Sequence, residues 1–403
     1  MTINMKRVLL INKFYYPRGG DCTAVLSQES LLRSKGHEVA LFSMQYPQNL
    51  PSTWESFFPS EVSFAKSGIQ AKFIAAERIF FSREVKSIFN RLIDTFKPDV
   101  IHAHNIHSYI SPYVLKLAHE KGIKTVWTLH DRKLVCPSYS CLRDNIPCEA
   151  CFTNKLNVVK YKCMKGSLPA SIIAWIEAVV WNKNILESFT DRFISPSLFL
   201  KGQMIRGGFN GNKIEVLPNF IPDNLPSIEC NKEDYYCYVG RLSAEKGVES
   251  LLKAAIDIPT KLIIIGDGEL MPYFKEKYQA SHIQFLGYQP KEKVLEVVGK
   301  ARFSVLPSIC YENNPYSIIE SHCMGTPVLG ANIGGIPELI TENSNGLLYE
   351  AGNIRELKYK IIQCLDTFKE SDSAEIAEIA RNRYSADLYY LKINQIYGEQ
   401  TNN

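Results

Sequence analysis

Two glutamates separated by seven residues, Glu312 and Glu320, stand in the segment SICYENNPYSIIE (Ser308–Glu320). Pro315 between them suits the first turn of a helix, where its missing N–H costs nothing. The spacing therefore predicts Glu312 in the loop ahead of a helix and Glu320 one to two turns inside it. The unpaired N–H groups of Asn314 to Ser317 and the positive helix end would open into the same space. Carboxylates there can accept from the hydroxyls of a polyol, and the N–H groups can hold phosphate oxygens. Spacing alone is equally compatible with a surface helix bearing two ordinary acids.

Other segments carry the same kind of chemistry. VGRLSAEKG (Val239–Gly247) reads as a strand, a sharp turn and a helix start. It sets Arg241 and Lys246 where they can clamp a diphosphate, the guanidinium engaging two oxygens at once. IIGDGE (Ile264–Glu269), GGIPE (Gly334–Glu338) and NGLL (Asn345–Leu348) supply glycine turns whose backbone can approach a ligand closely. Near the N-terminus, YPRGGD (Tyr16–Asp21) places Gly19 and Gly20 between a strand and a helix. TLHD (Thr128–Asp131) ends another strand with His130. His102 and His104 would share one strand face with His107 nearby, but neither carboxylate nor cysteine accompanies them, so structural or ligand-contact roles fit better than a metal.

The elements that must position these residues form two successive α/β patterns. In the first half, Arg7–Asn12, His37–Ser43, Asp99–His102 and Lys124–Leu129 read as short buried strands, with a helix over Cys22–Lys35 stopped by Gly36. In the second, strands are expected at Tyr235–Val239, Lys261–Ile265, Ile283–Leu286, Phe303–Leu306 and Pro327–Leu329, with a helix at Val248–Ala255. Such alternation implies doubly wound parallel sheets, and a ligand in the cleft at the C-terminal ends of their strands. The proline-rich stretch after Leu217 reads as the connection. The domains expected are 1–215, 216–385, and a terminal helix, 386–403, crossing back to the first.

Of 403 residues, 45% are hydrophobic and 22% charged, enough apolar material for two cores and too much for disorder. No apolar run reaches 18 residues, and Val8–Ile11 is too short for a secretory leader, so a cytoplasmic protein is expected. The net charge of +4 hides an asymmetry. Residues 1–215 hold 28 Lys+Arg against 17 Asp+Glu, and the remainder 18 against 25. A basic first half suits an anionic partner. Phe73–Phe96 and Ala170–Phe189 are apolar helical stretches that could lie in a membrane interface or be core helices; periodicity does not separate the two.

Taken in order, GR-x4-KG, GDG, E-x7-E and GG-x-PE resemble the family-4 retaining glycosyltransferases of the GT-B fold, two Rossmann-like domains facing a cleft. The resemblance covers nearly the whole chain. It implies transfer of a sugar from a UDP- or GDP-linked donor to a hydroxyl of a glycan or polyprenyl-diphosphate-linked glycan, in cell-surface polysaccharide assembly, with no cofactor required for catalysis and no nucleic acid partner. It further implies that Arg241 and Lys246 bind the diphosphate, Glu312 sits by the donor sugar and Glu320 bonds the ribose. Asn313, Asn314, Pro315 and Tyr316 would line the sugar and phosphate, although Asn313–Asn314 departs from the glycine–aromatic pair common there. Gly19 and Gly20 would serve as backbone donors, and His130 would contact the sugar. A peripheral site on the inner face of an anionic membrane suits a lipid-linked acceptor. A nucleotide-sugar epimerase of the same fold, or a non-catalytic nucleotide-sugar-binding subunit, would keep the diphosphate clamp and remain as rivals.

Five of the eleven cysteines fall between Cys136 and Cys163, in a loop-rich insertion spanning about residues 134–166. Cys148-x2-Cys151 has zinc-knuckle spacing, so a structural Zn on Cys136, Cys148, Cys151 and Cys163, with Cys141 as an alternative ligand, is one expectation. Free thiols are the other.

Overall fold

The computed structural model describes residues 5–63, 69–222, 225–227, 231–368 and 372–398. The chain folds into two compact units. One holds the chain up to Cys141, Cys148–Pro218 and the residues from Tyr389; the other holds Asn219–Leu388 with Leu142–Pro147.

The first unit is built on a six-stranded sheet of β1 (Arg7–Ile11), β2 (Glu38–Phe42), β3 (Val100–Ala103), β4 (Lys124–Thr128), β7 (Arg192–Ser195) and β8 (Ile214–Val216), in the order β2-β1-β3-β4-β7-β8. Every pairing is parallel. Helices cover both faces of such a sheet, which is why β1 reads RVLLI with Val8 to Ile11 completely buried, without polar alternation. Between β4 and β7, the hairpin of β5 (Leu142–Arg143) and β6 (Ile146–Pro147) lies in the cysteine-rich stretch.

The second unit repeats the plan. Its strands β9 (Tyr235–Val239), β10 (Lys261–Ile265), β11 (Ile283–Gly287), β12 (Ser304–Leu306), β13 (Val328–Ala331) and β14 (Gly346–Tyr349) run parallel in the order β11-β10-β9-β12-β13-β14. Tyr236 and Phe303 stack beneath this sheet with ring centroids 5.0 Å apart. Besides the β5–β6 hairpin, three strands of the two large sheets escaped the sequence reading. β7 and β8 are short, with arginine or glutamate inside the run. β14 is the NGLL segment, whose Gly346 approaches the β13 backbone rather than a ligand: an added Cβ would lie 2.1 Å from the Val328 carbonyl oxygen.

Strand order decides where ligand chemistry can sit. In the first sheet the chain leaves β1 toward β2 on one side, while β3 lies on the other. In the second, β9 leads to β10 and β12 to β13, away from each other. Neighbouring strands whose connections diverge leave a crevice at their C-terminal ends. The Gly19–Gly20 loop follows β1 and Asn105 follows β3; Arg241 follows β9 and Glu312 follows β12.

The two apolar stretches singled out from the sequence differ. Within Phe73–Phe96 the chain forms helices Ile69–Phe80 and Arg83–Phe96. The latter buries Val85, Phe89, Leu92, Ile93 and Phe96, a core-facing stripe, and is capped by Ser82, whose hydroxyl accepts from the Val85 N–H. Helix Leu168–Val180 instead buries Ser171, Ala174 and Glu177. Helix Ala386–Gly398 ends the described chain. Its Tyr390 hydroxyl meets His37 Nε2 at 2.9 Å, a contact that gives His37 a structural role.

Gly247 has φ of +67°, and a Cβ there would fall 1.9 Å from the Pro307 carbonyl oxygen. Gly122 shares the positive φ, +71°, with open space around it. Gly247→Ala should therefore lower the unfolding free energy by about 2–5 kcal/mol, and Gly122→Ala by only about 1–2 kcal/mol. Urea unfolding of the two variants checks this; equal losses would rule out the steric account.

Candidate functional site

In the second unit, glycine contacts draw the loops after the central strands together. Gly266, with φ of +130°, lies so near the loop after β9 that a Cβ would sit 1.9 Å from the Gly240 carbonyl oxygen. The Leu242 N–H donates to the Asp267 carbonyl at 2.9 Å. Gly334 (φ +65°) abuts the backbone of Glu312, and the Gly335 N–H donates to the Glu312 carbonyl at 2.9 Å. The glycines of GDG and GG-x-PE thus act by bringing loop onto loop, a role distinct from the close ligand approach expected of them.

This framework joins two motifs 66 residues apart. Lys246 Nζ donates to Glu312 Oε1 at 2.6 Å, and the Ser308 hydroxyl donates to the same oxygen at 2.6 Å. Burial alone would depress the Lys246 ammonium, but the Glu312 carboxylate holds its pKa above the ordinary lysine value. Arg241 is exposed at the same turn, whose backbone is tied down by the Tyr238 hydroxyl donating to the Arg241 carbonyl at 2.8 Å.

Helix Tyr316–Cys323 begins one residue later than the sequence suggested. Pro315, with φ of −67° and ψ of 122°, is its N-cap. Tyr316 and Ser317 occupy its first two positions, where N–H groups have no partner inside the helix. Asn313 and Tyr316 are half-buried. Asn314 also has a structural task within this unit. Its buried side chain accepts from the Asn219 N–H at 2.8 Å, and its carbonyl accepts from Asn219 Nδ2 at 2.8 Å, so it anchors the start of this unit. Glu320 is buried within the helix and paired with Lys291. Burial raises its carboxyl pKa while Lys291 opposes the rise.

In the first unit, the loop after β1 leads into helix Gly20–Ser34, with Gly19 as an extended N-cap. A Cβ on Gly19 would meet nothing closer than the Asp21 carboxylate at 3.7 Å, so neither strain nor crowding demands glycine there. Asp21 accepts from Asn105 Nδ2 at 3.0 Å and has Lys13 Nζ 3.9 Å away. Burial would raise its pKa, but Lys13, His130 and Asn105 together hold it below the ordinary value.

His130 stands at the head of a histidine column. Its Nε2 lies 2.9 Å from His104 Nδ1, and the His104 ring stacks on His102 with centroids 4.5 Å apart. Nε2 being engaged, Nδ1 is the nitrogen of His130 left for a ligand. Gln28 Nε2, which can only donate, lies 2.8 Å from His102 Nδ1. His102 therefore carries its proton on Nε2 and donates to the Thr128 hydroxyl at 2.7 Å. Burial lowers the pKa of all three rings, His102 to about 3, and of His107 to about 4.

The sequence reading did not assign Lys13, Asp21, Asn105, Ser308 or Lys291. Asp21 stood inside YPRGGD and Asn105 directly after His104, so adjacency was the available signal. Nothing in the sequence connects Lys291 to Glu320.

Three of the five clustered cysteines lie together. Cys136 hydrogen-bonds to the thiols of Cys141 and Cys151 and lies 3.2 Å from the Ser138 hydroxyl. Cys148 is half-buried and gives its N–H to the Cys141 carbonyl at 2.7 Å, closing the β5–β6 hairpin. The thiol beside Cys136 and Cys151 is thus Cys141, the alternative ligand of the sequence reading. The hairpin, invisible in the sequence, sets Cys148 opposite Cys141. Hydrogen bonds from its neighbours make Cys136 the most acidic of the three and raise Cys141 and Cys151.

Comparison with known proteins follows the same division. The family model described as Glycosyltransferase Family 4 matches residues 23–225, and that described as Glycosyl transferases group 1 matches residues 225–383. An uncharacterised glycosyltransferase of Methanocaldococcus jannaschii is 31% identical over 182 residues, 44% of this chain and 50% of that protein; the chain thus spans about half the length of the first curated relatives it matches. An uncharacterised 42.6 kDa protein in a cps region of Klebsiella pneumoniae is 23% identical over 82% of this chain and 87% of its own. Among solved structures, Anabaena HepE in complex with UDP and glucose superposes with a TM-score of 0.67 at 18% identity, covering 98% of this chain and 100% of that one. Sucrose-phosphate synthase from Thermosynechococcus elongatus gives 0.69 at 18% identity, covering 97% and 98%. These superpositions establish the GT-B fold.

The His102 imidazole, depressed to about 3 from its ordinary 6.5, ties stability to pH. As pH falls below 6.5 the unfolded chain takes up this proton and the folded one does not. Its contribution is therefore complete above pH 6.5 and is lost progressively as pH falls toward 3, by about 1.4 kcal/mol per pH unit. His102→Asn should remove that increment from the slope of unfolding free energy between pH 6 and 4. An unchanged slope in urea titrations would contradict the assignment.

Proposed function

The chain belongs to the family-4 glycosyltransferases, and from that premise we propose that it moves a sugar from a nucleotide-diphosphate donor to a hydroxyl of a glycan or lipid-linked glycan, with retention at the anomeric carbon. The observation that carries this reading is the 2.6 Å contact of Lys246 with Glu312. In a nucleotide sugar the diphosphate is bonded to a carbon whose neighbours bear hydroxyls. A site for it needs a cation for the phosphate immediately beside an acceptor for the hydroxyls, and Lys246 and Glu312 form such a pair.

In this reading Lys246 and the exposed Arg241 neutralise the diphosphate as its bond to the anomeric carbon breaks. The N–H groups of Tyr316 and Ser317 at the helix start add positive potential. Glu312 accepts from sugar hydroxyls, and His130 meets the sugar through Nδ1. Glu320, although paired with Lys291, is a carboxylate with further acceptor sites, enough for a ribose hydroxyl. The acceptor oxygen attacks from the face the diphosphate leaves, forming the new C–O bond, and its proton passes to the departing phosphate oxygen. Gly19 supports a ligand at the loop after β1, since the fold itself does not require glycine there. HepE, whose structure holds UDP and glucose, supports a nucleotide-sugar donor, and the relative in a cps region supports a role in cell-surface polysaccharide.

Lys246→Ala and Arg241→Ala should each weaken UDP or GDP binding by roughly ten- to a hundredfold, the worth of a charge-assisted hydrogen bond. Calorimetric titration checks this, and unchanged affinity in both variants would sink the clamp. Because side-chain cations and helix N–H groups carry the neutralisation, transfer from the donor that binds should also proceed undiminished in excess EDTA. Activity abolished by EDTA and restored by a divalent ion would refute that part.

A further inference from the structure

Among the described residues no helix is long and apolar enough to cross a membrane. Helix Leu168–Val180 of the first unit is nonetheless inverted relative to an ordinary surface helix. It turns Ser171, Ala174 and Glu177 inward and leaves Leu168, Ile172, Ile173, Ile176, Val179 and Val180 between 37% and 48% exposed. At 3.6 residues per turn these six fall within an arc of roughly 140°, one continuous apolar stripe facing water.

The orientation is held from the inside. Glu177 forms a buried ion pair with Lys133 at 2.9 Å and accepts from the Ser108 hydroxyl at 3.2 Å. The Ser171 hydroxyl accepts from the Met164 N–H and donates to the Ser167 carbonyl. Directly after the helix, Trp181 Nε1 donates to the Ile79 carbonyl at 3.0 Å. Rolling the helix to hide its isoleucines would tear the Glu177 carboxylate from Lys133 and leave the ammonium buried and unpaired. The apolar face is thus presented at a cost in exposed surface, which calls for an occupant.

Charge identifies the occupant. Lys160, Lys162 and Lys165 precede the helix and Lys183 follows it, and all four are exposed. Between Asn154 and Leu186 the one acid is Glu177, which is buried. An apolar stripe flanked along the chain by lysines, with no exposed carboxylate between Asn154 and Leu186, matches the boundary between acyl chains and anionic headgroups. A second copy of the chain would bring its own lysines against these. We propose that helix Leu168–Val180 lies in the surface of an anionic lipid bilayer, its stripe among the acyl chains and the four lysines on the headgroups. For its purpose the inference rests on the lipid-linked acceptor proposed above; for its grounds it rests on this helix alone.

Sedimentation with phosphatidylcholine vesicles, with and without phosphatidylglycerol, tests the surface without any nucleotide or acceptor. The full chain should sediment with the anionic vesicles and much less with the neutral ones, and added salt should weaken the binding. The double variant Ile172→Ser, Ile176→Ser should lose binding at least tenfold. The triple variant Lys160→Ser, Lys162→Ser, Lys165→Ser should lose about a hundredfold, at roughly fivefold per lysine. Both should keep the wild-type melting temperature and UDP affinity, because the changed residues face solvent and lie outside the donor loops. A wild-type chain that stays in the supernatant overturns the proposal. So does vesicle binding that survives the isoleucine changes, since the stripe is then not inserted. Wild-type dimers that the isoleucine variant dissolves would assign the face to a second copy instead. Loss of UDP binding in the wild type would strike the donor reading and leave this result standing.

Discussion

Gly247 lies so close to the Pro307 carbonyl that no side chain fits between them, and the second unit's chemistry depends on that closeness. It sets the turn after β9 against the loop after β12, and Lys246 reaches Glu312 as a direct result. Two further contacts of the same kind, Gly266 on Gly240 and Gly334 on Glu312, bring in the loops after β10 and β13. A Cβ at any of the three would collide with backbone and force the loops apart. The glycines contribute to binding indirectly, by making the loops that carry charge meet at the sheet's switch point.

The first unit solves a different problem, holding a polar column inside an apolar layer. His102 and His104 are fully or almost fully buried, and burial keeps them neutral. Neutral imidazoles can relay hydrogen bonds without the penalty of a buried charge. Tyr397 of the last helix and Gln28 of the first helix end the relay at His102, and His130 ends the column at the loop end of the sheet. Helix Leu168–Val180 is fixed by the opposite device, a buried ion pair whose disruption would cost more than the water contact of its isoleucines. Here a charge inside determines that hydrophobic residues lie outside.

Much of this was legible in the order of the residues. The uninterrupted apolar runs of β1, β9 and β10 carry their own assignment, because a strand covered on both faces has no polar alternation to confuse it. Charged and glycine-led strands such as β7 and β14 were missed for the converse reason. Arg241, Lys246, Glu312 and His130 could be singled out because their residue types and loop positions are themselves the chemical signal. The bond of the Asn314 side chain to Asn219 was not legible, because an asparagine in such a stretch looks the same whether its side chain meets a ligand or, as here, the backbone of Asn219. Which thiols lie together was not legible in the cysteine spacing, because the stretch folds through the β5–β6 hairpin, two short strands with no periodicity to announce them.

By itself the sequence determined the two α/β repeats, the order of the motifs along them and the family to which they belong. All of these are local patterns of hydrophobicity and residue type, written within a few turns or strands of the chain. Only the tertiary structure decided which charges are paired, Lys246 with Glu312, Lys291 with Glu320 and Lys133 with Glu177. It likewise decided which of two apolar helices is core and which faces water. Those outcomes turn on distances between residues tens of positions apart and on the rotation of a helix about its axis. Composition leaves that rotation open, and a buried ion pair settles it.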